Sequence, residues 1–330
     1  MQKNIHVFGG DPKRVTLVGE SAGGGSIMHQ ITAYGGGRGP VPFQRAVPQS
    51  AAFVPIPSSF QQENTTNNYL AILNVSSVQA ARSLPSTYLA SANALLIGLA
   101  PYGSFVFSPV VDGDFVPALP GKLLLQGNYH KDVTLMIGHN ADEAILFTSP
   151  YITSDTAYDD YLALALPVAQ PSVLRYISQT LYPSLQTAAT SKAILPYKDE
   201  VARAAFTSAE AFFTCNTYYL TRAFHNRTYN YVFTVPPAIH GQDVPYTFYG
   251  TGSNISASIP LPINQTVAVA LQNYITDFAQ TGTPNGAGVP KFDMYGPDAQ
   301  VLSLGINGLK EITDETANER CRWWQKALYI

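Results

Sequence analysis

A continuous apolar run, Val15-Thr16-Leu17-Val18, leads directly into the small-residue stretch Gly19-Glu20-Ser21-Ala22-Gly23-Gly24-Gly25-Ser26. Such a run reads as a strand buried on both faces, because neither side of it meets water. The same pattern predicts strands at Arg45-Ala46-Val47-Pro48 and over 133–138 and 229–235. Between them the apolar positions recur at helical spacing. This predicts helices from Ser21 to about Tyr34, over 58–100 with breaks at Pro85 and Gly98, over 117–126, over most of 155–225, and over 267–280 and 316–328. Gly9-Gly10-Asp11-Pro12 is a turn, Asp112-Gly113-Asp114 a tight turn in an extended segment over 105–116, and 236–262 a loop rich in proline and glycine. Strands that alternate with helices predict an α/β fold with a mainly parallel sheet.

Composition agrees with an ordinary globular domain: 330 residues, 46% hydrophobic and 12% charged, without repeats or low-complexity linkers. A net charge of -3 and a pI near 6.0 argue against nucleic acid or an anionic membrane as partner. The longest apolar stretch, around 92–100, is too short to span a bilayer. Five N-x-S/T sequons, at Asn64, Asn74, Asn226, Asn254 and Asn264, exceed the roughly two or three expected by chance and point to secretion. The opening residues carry no signal-peptide pattern, so either the protein is not exported or it is secreted and its true N-terminus is missing; the expectation adopted is secretion.

Gly19-Glu20-Ser21-Ala22-Gly23 is a G-x-S-x-G pattern between a predicted strand and a small-residue helix. There a serine is pushed out on a strained turn and serves as nucleophile. A serine hydroxyl needs a base to take its proton and an acid to orient that base. On this architecture the acid comes next in the chain and the histidine last, both on loops after later strands. The strand ending at Gly138 is followed by Asp142 and Glu143, and either carboxylate fits the spacing. Order excludes His6, His29, His130 and His139, and His225 reads as a capping residue near a helix end. His240, in an irregular loop just after a strand, is the candidate base. No metal-ligand spacing such as H-E-x-x-H occurs, and no cofactor is implied.

These motifs resemble the carboxylesterase type B family, which includes cholinesterases and certain fungal lipases. The resemblance is carried by residues 4–31, by Arg45-Ala46-Val47-Pro48-Gln49-Ser50, by Ser108-Pro109-Val110-Val111-Asp112-Gly113, and by Ile137 to Glu143. Ile239-His240-Gly241 with Asp243, and Phe278 to Asn285, complete the set. It implies an α/β-hydrolase fold and a Ser21–Glu143–His240 triad that hydrolyses small-molecule or lipid esters. It further implies an oxyanion donor at the Ala22 N–H, a hydrogen-bonding role for Ser50 beside the acid–histidine pair, and a Cys215–Cys321 disulfide. Glu20 is either a residue at the substrate site or a buried carboxylate that supports the turn.

The family places a Gly-rich oxyanion segment and several strands before the nucleophile. Residues 1–330 are therefore expected to form only a C-terminal, N-terminally truncated part of the domain, with the nucleophile strand at an apolar edge and activity impaired. The alternative functional reading is a non-catalytic fragment or adhesion module, as some family members are. Acyl and alcohol preference and oligomeric state are not legible.

Overall fold

The computed structural model describes residues 1–191, 194–250 and 261–330. Among the described residues, six strands form one sheet in sequential order: β1 (Thr16–Glu20), β2 (Arg45–Gln49), β3 (Thr134–Asn140), β4 (Tyr229–Phe233), β5 (Gln300–Gly305) and β6 (Gly308–Thr313). The first five pair in parallel and β6 pairs antiparallel with β5. Between β1 and β2 runs α1 (Ala22–Thr32). Between β2 and β3 lie α2 (Ser59–Ile72), α3 (Val78–Arg82), α4 (Ser86–Gly98) and α5 (Pro120–Gln126). The crossover from β3 to β4 carries α6 (Asp155–Ala165), α7 (Pro171–Tyr176), α8 (Leu185–Ser191), α9 (Glu200–Ala209) and α10 (Cys215–Ala223). After β4 come α11 (Val244–Thr247) and α12 (Gln265–Thr281), and α13 (Glu319–Gln325) follows the sheet.

Successive strand residues point to opposite faces, and the core divides accordingly. Ala46, Leu135 and Ile137 belong to a cluster with Ile27, Met28 and Ile31 of α1 and with helices of the β3–β4 crossover. Val47, Met136, Tyr229, Tyr231 and Phe233 belong to a second cluster with Leu271, Tyr274 and Phe278 of α12. Burial on both faces explains why β2, β3 and β4 read as apolar runs rather than as alternating patterns, whereas β1, expected to be buried on both faces, has no buried residue because it lies at the sheet edge. The expectation of an N-terminally truncated sheet is corrected accordingly: the sheet is mixed, and the chain supplies the helices that cover both of its faces. What such a fold requires is burial on each face, and a count of absent motifs does not measure that. β1 is nevertheless an edge of this sheet, with Val18 partly exposed.

Residues 105–116, expected to be extended around a tight turn, join no strand of the sheet and make only an isolated bridge from Val110 to Ile56, with Phe105 and Phe107 about half exposed. The β5–β6 hairpin was not anticipated, although Asn307-Gly308 between two alternating stretches is a hairpin signal. Cys215 and Cys321 are joined, tying α10 to α13 across 106 residues. Closing a loop of that length removes unfolded-state entropy worth ~4–5 kcal/mol.

Candidate active site

The carboxyl ends of β1 to β4 lie at one edge of the sheet, where open parallel sheets place their ligands. Ser21 follows β1 directly, with φ 58 and ψ -121, a region that a non-glycine residue occupies only under strain. Its N–H donates to the Gln49 carbonyl at 2.9 Å, and its carbonyl accepts from the Gly25 and Ala52 N–H groups. The turn is this tight because α1 lies against the strands. A Cβ on Gly19 would stand 2.6 Å from the Gly23 backbone, and one on Gly25 would stand 2.2 Å from the Ala52 carbonyl oxygen.

His240 lies after β4, 8% exposed, with Nε2 2.7 Å from the Ser21 Oγ. Its Nδ1 stands 2.5 Å from Oε2 of Glu143, which is fully buried. The second Glu143 oxygen accepts from the Asn140 N–H at 2.7 Å. Asp142, the other carboxylate of that loop, is exposed. Burial alone would push the imidazole pKa down. The hydrogen bond and charge of Glu143, with the charges of Glu20 and Asp243, outweigh it and hold His240 above its ordinary value.

Several supporting residues escaped the sequence reading. Asn140 ends β3 and donates its side-chain N–H to the Ile239 carbonyl at 2.8 Å, splinting the acid loop to the base loop. The Asp142 N–H does the same to the Ala238 carbonyl at 2.9 Å. Gln242 accepts from the Ile239 N–H and donates to the Val235 carbonyl, each at 3.1 Å, and so braces the His240 loop from within. Asp243, fully buried, accepts from Gln49 and Tyr231, both at 3.1 Å, and burial pushes its pKa up to about 6. The rings of Phe147 and Phe213 lie 5.3 and 4.9 Å from the imidazole and screen it from water. Asn140, Asp142 and Asp243 lie within quoted motifs, and of these only Asp142 had been singled out, as a candidate acid.

Glu20 comes within 3.4 Å of His240 Nε2, and its Oε1 is buried with no hydrogen-bond partner. Burial pushes its pKa up to about 7. The Ser50 hydroxyl is buried and likewise unpartnered, so the hydrogen bond expected from it is not formed. Ala22 opens α1, where helix geometry leaves the backbone N–H free. Asn64 and Asn74 are exposed. The side chain of Asn226 accepts from Arg222, that of Asn264 caps α12, and Asn254 lies outside the described residues. Among the described residues no group of three or more His, Cys, Asp or Glu is placed to hold a metal ion, and no helix is long and apolar enough to cross a membrane.

The description "Carboxylesterase family" matches residues 1–324. This chain belongs to the carboxylesterase family. The match corrects the expectation that the likeness covers a C-terminal part only, since the family pattern runs along nearly all 330 residues. The motifs looked for upstream of Ser21 were a poorer guide than the whole pattern of strands and helices. Carboxylesterase patB of Aspergillus clavatus is 39% identical over 327 residues, and that of Penicillium expansum 38% over 328. Each comparison covers 99% of this chain, which spans 57% and 56% of the two relatives' lengths. The crystal structure of Aspergillus niger EstA superposes with a TM-score of 0.81 at 22% identity, over 98% of this chain and 66% of that one. A more distant relative from Arthroderma benhamiae, 31% identical over 79% of this chain and 48% of its own length, bears the name secreted lipase.

Proposed function

We propose that this member of the carboxylesterase family hydrolyses carboxylic esters, with Ser21 as nucleophile, His240 as base and Glu143 as the group that orients it. The carrying observation is the unbroken chain of contacts from Ser21 Oγ to His240 Nε2 at 2.7 Å and from His240 Nδ1 to Glu143 at 2.5 Å. His240 takes the hydroxyl proton as Ser21 Oγ attacks the ester carbonyl, and Glu143 stabilises the resulting imidazolium. The Ala22 N–H faces the developing oxyanion. The imidazolium then protonates the departing alcohol. Water, deprotonated by the same imidazole, releases the acid from the acyl-enzyme.

The substrate is an uncharged small-molecule or lipid ester. Supporting this is a cavity of about 130 Å³ that opens on Ser21 between Phe53, Phe105, Phe107, Phe212 and Phe213. The reading extends to a secreted protein carrying glycans at the exposed Asn64 and Asn74, in line with the disulfide, which persists in oxidising compartments. A fluorophosphonate probe tests the chemistry. Labelling at the Ser21 peptide, lost in Ser21→Ala, is the expected result. A folded chain that never labels would favour the binding-module reading instead.

A further inference from the structure

Between α9 and α10 the helix widens into a π-helical turn, Glu210–Thr214. Such turns insert a residue into a helix and re-aim its side chains, often at functional sites. Here the turn carries Phe212 and Phe213. Phe213 is 3% exposed, stacks on Phe147 at 5.6 Å and meets the His240 ring edge-on. Phe212 lines two cavities at once: the one of about 130 Å³ at Ser21, and a wider, open-sided chamber of about 780 Å³ lined by the exposed Phe60, Leu99 and Leu164 together with Gln61, Asn64 and Asn68. Val54 and Phe105 also line both. Phe212 therefore stands on the boundary between them.

Both ends of this turn are held from α13. At the start, the buried Glu210 carboxylate accepts from Arg320 Nε and Nη2 at 2.6 and 2.8 Å, and from Asn318 at 2.8 Å. The Tyr182 hydroxyl adds a fourth donor at 2.5 Å. Immediately after the turn, Cys215 is bonded to Cys321. A paired Arg–carboxylate fork fixes orientation as well as position. A π-turn pinned at one end only would be free to slide back to α-helical register, and Phe212 and Phe213 would move with it.

We propose that Phe212 is a specificity-determining partition that confines the apolar group of the bound ester to the cavity at Ser21, and that the α13 clamp, through Glu210–Arg320 and Cys215–Cys321, is its positioning device. This rests on the ester-hydrolase reading above. The smaller cavity is slightly below the roughly 150 Å³ that accommodates benzene. The favoured group is therefore a short aliphatic chain, smaller than a benzene ring. Opening the partition joins that space to a chamber several times larger, which admits long chains.

The test uses the full chain and two series of p-nitrophenyl and alkyl esters, one lengthened on the acyl side and one on the alcohol side. Phe212→Ala is expected to raise the long-to-short ratio of kcat/KM by about tenfold or more in one series, the discrimination that a few methylenes in an apolar pocket supply. Arg320→Met, and the Cys215→Ser/Cys321→Ser pair, should move the same ratio in the same series, measured where circular dichroism shows each variant folded. Arg320→Lys, which keeps the charge but loses the paired fork, provides a milder perturbation should Arg320→Met or the cysteine pair fail to fold. A ratio unchanged in Phe212→Ala overturns the partition. A ratio moved by Phe212→Ala but by none of the clamp perturbations overturns the clamp, because a merely stabilising tie would lower turnover of long and short esters alike. Both failures leave Ser21 labelling by fluorophosphonate intact, whereas an unmodified chain that takes no label sinks the hydrolase reading itself.

Discussion

Glu143→Gln changes one atom and should nearly abolish turnover. Both carboxylate oxygens act as acceptors, Oε1 from the Asn140 N–H at 2.7 Å and Oε2 from His240 Nδ1 at 2.5 Å. An amide offers one acceptor. The Asn140 N–H belongs to the backbone at the end of β3 and cannot turn away, so the amide oxygen goes to it and the NH₂ faces Nδ1. That forces the proton of the neutral imidazole onto Nε2, which must then donate to the Ser21 hydroxyl instead of accepting from it. The substitution also removes the negative charge that stabilises the imidazolium. Loss of the correct tautomer in a triad costs on the order of 10⁴ in kcat, or about 5 kcal/mol at 1.36 kcal/mol per tenfold. The assay is kcat on a p-nitrophenyl ester, with active sites counted by fluorophosphonate. The acidic limb of kcat/KM should also move to lower pH, because burial is then less opposed in setting the imidazole pKa. A variant that retains more than about a tenth of the parent kcat would refute the tautomer reasoning.

Three further outcomes are expected. A base works neutral, so the rate rises as pH climbs through the His240 pKa, which is held above its ordinary value. Glu20, titrating at about 7, carries its charge beside Nε2 mainly above that pH, and Glu20→Gln should shift the acidic limb down, by less than Glu143→Gln. A pH profile identical to the parent's would show that Glu20 does not reach the imidazole electrostatically. Asn140→Ala keeps the N–H bond to Glu143 but cuts the 2.8 Å splint to Ile239. With the two loops free to separate, kcat should fall up to about 10²-fold, the scale of a misplacement near 1 Å. Stopped-flow acylation on a pre-labelled scale would check this, and an unaltered rate would mean the Asp142–Ala238 bond suffices.

The nucleophile turn was legible because its causes are local. An apolar edge strand, a serine forced to positive φ and small residues where α1 meets the strands all lie within a dozen positions. Strands β2 to β4 were legible for a related reason, since burial leaves uninterrupted apolar runs, whereas the parallel β5 was not read. Chain order left His225 and His240 as candidate bases, and the place of His240 in a loop just after a strand favoured it. The choice between Asp142 and Glu143 was open on spacing alone, because neighbouring residues differ only in which way the backbone aims them. In the fold one is exposed and the other wholly buried against the imidazole.

Other features arise from parts of the chain far apart in sequence, and only the tertiary structure decides them. The Asn140 splint, the approach of Glu20 to His240, the unpartnered Ser50 hydroxyl and the Phe212–Phe213 wall depend on distances set by helices that cross the sheet. Which residues of the sheet are buried is likewise decided by packing: β2 to β4 are covered by helices on both faces, while β1 stays partly open at the edge. Local chemistry is written in the sequence where neighbours along the chain are also neighbours in space. Elsewhere it is the packing that selects which of many equivalent polar groups meet.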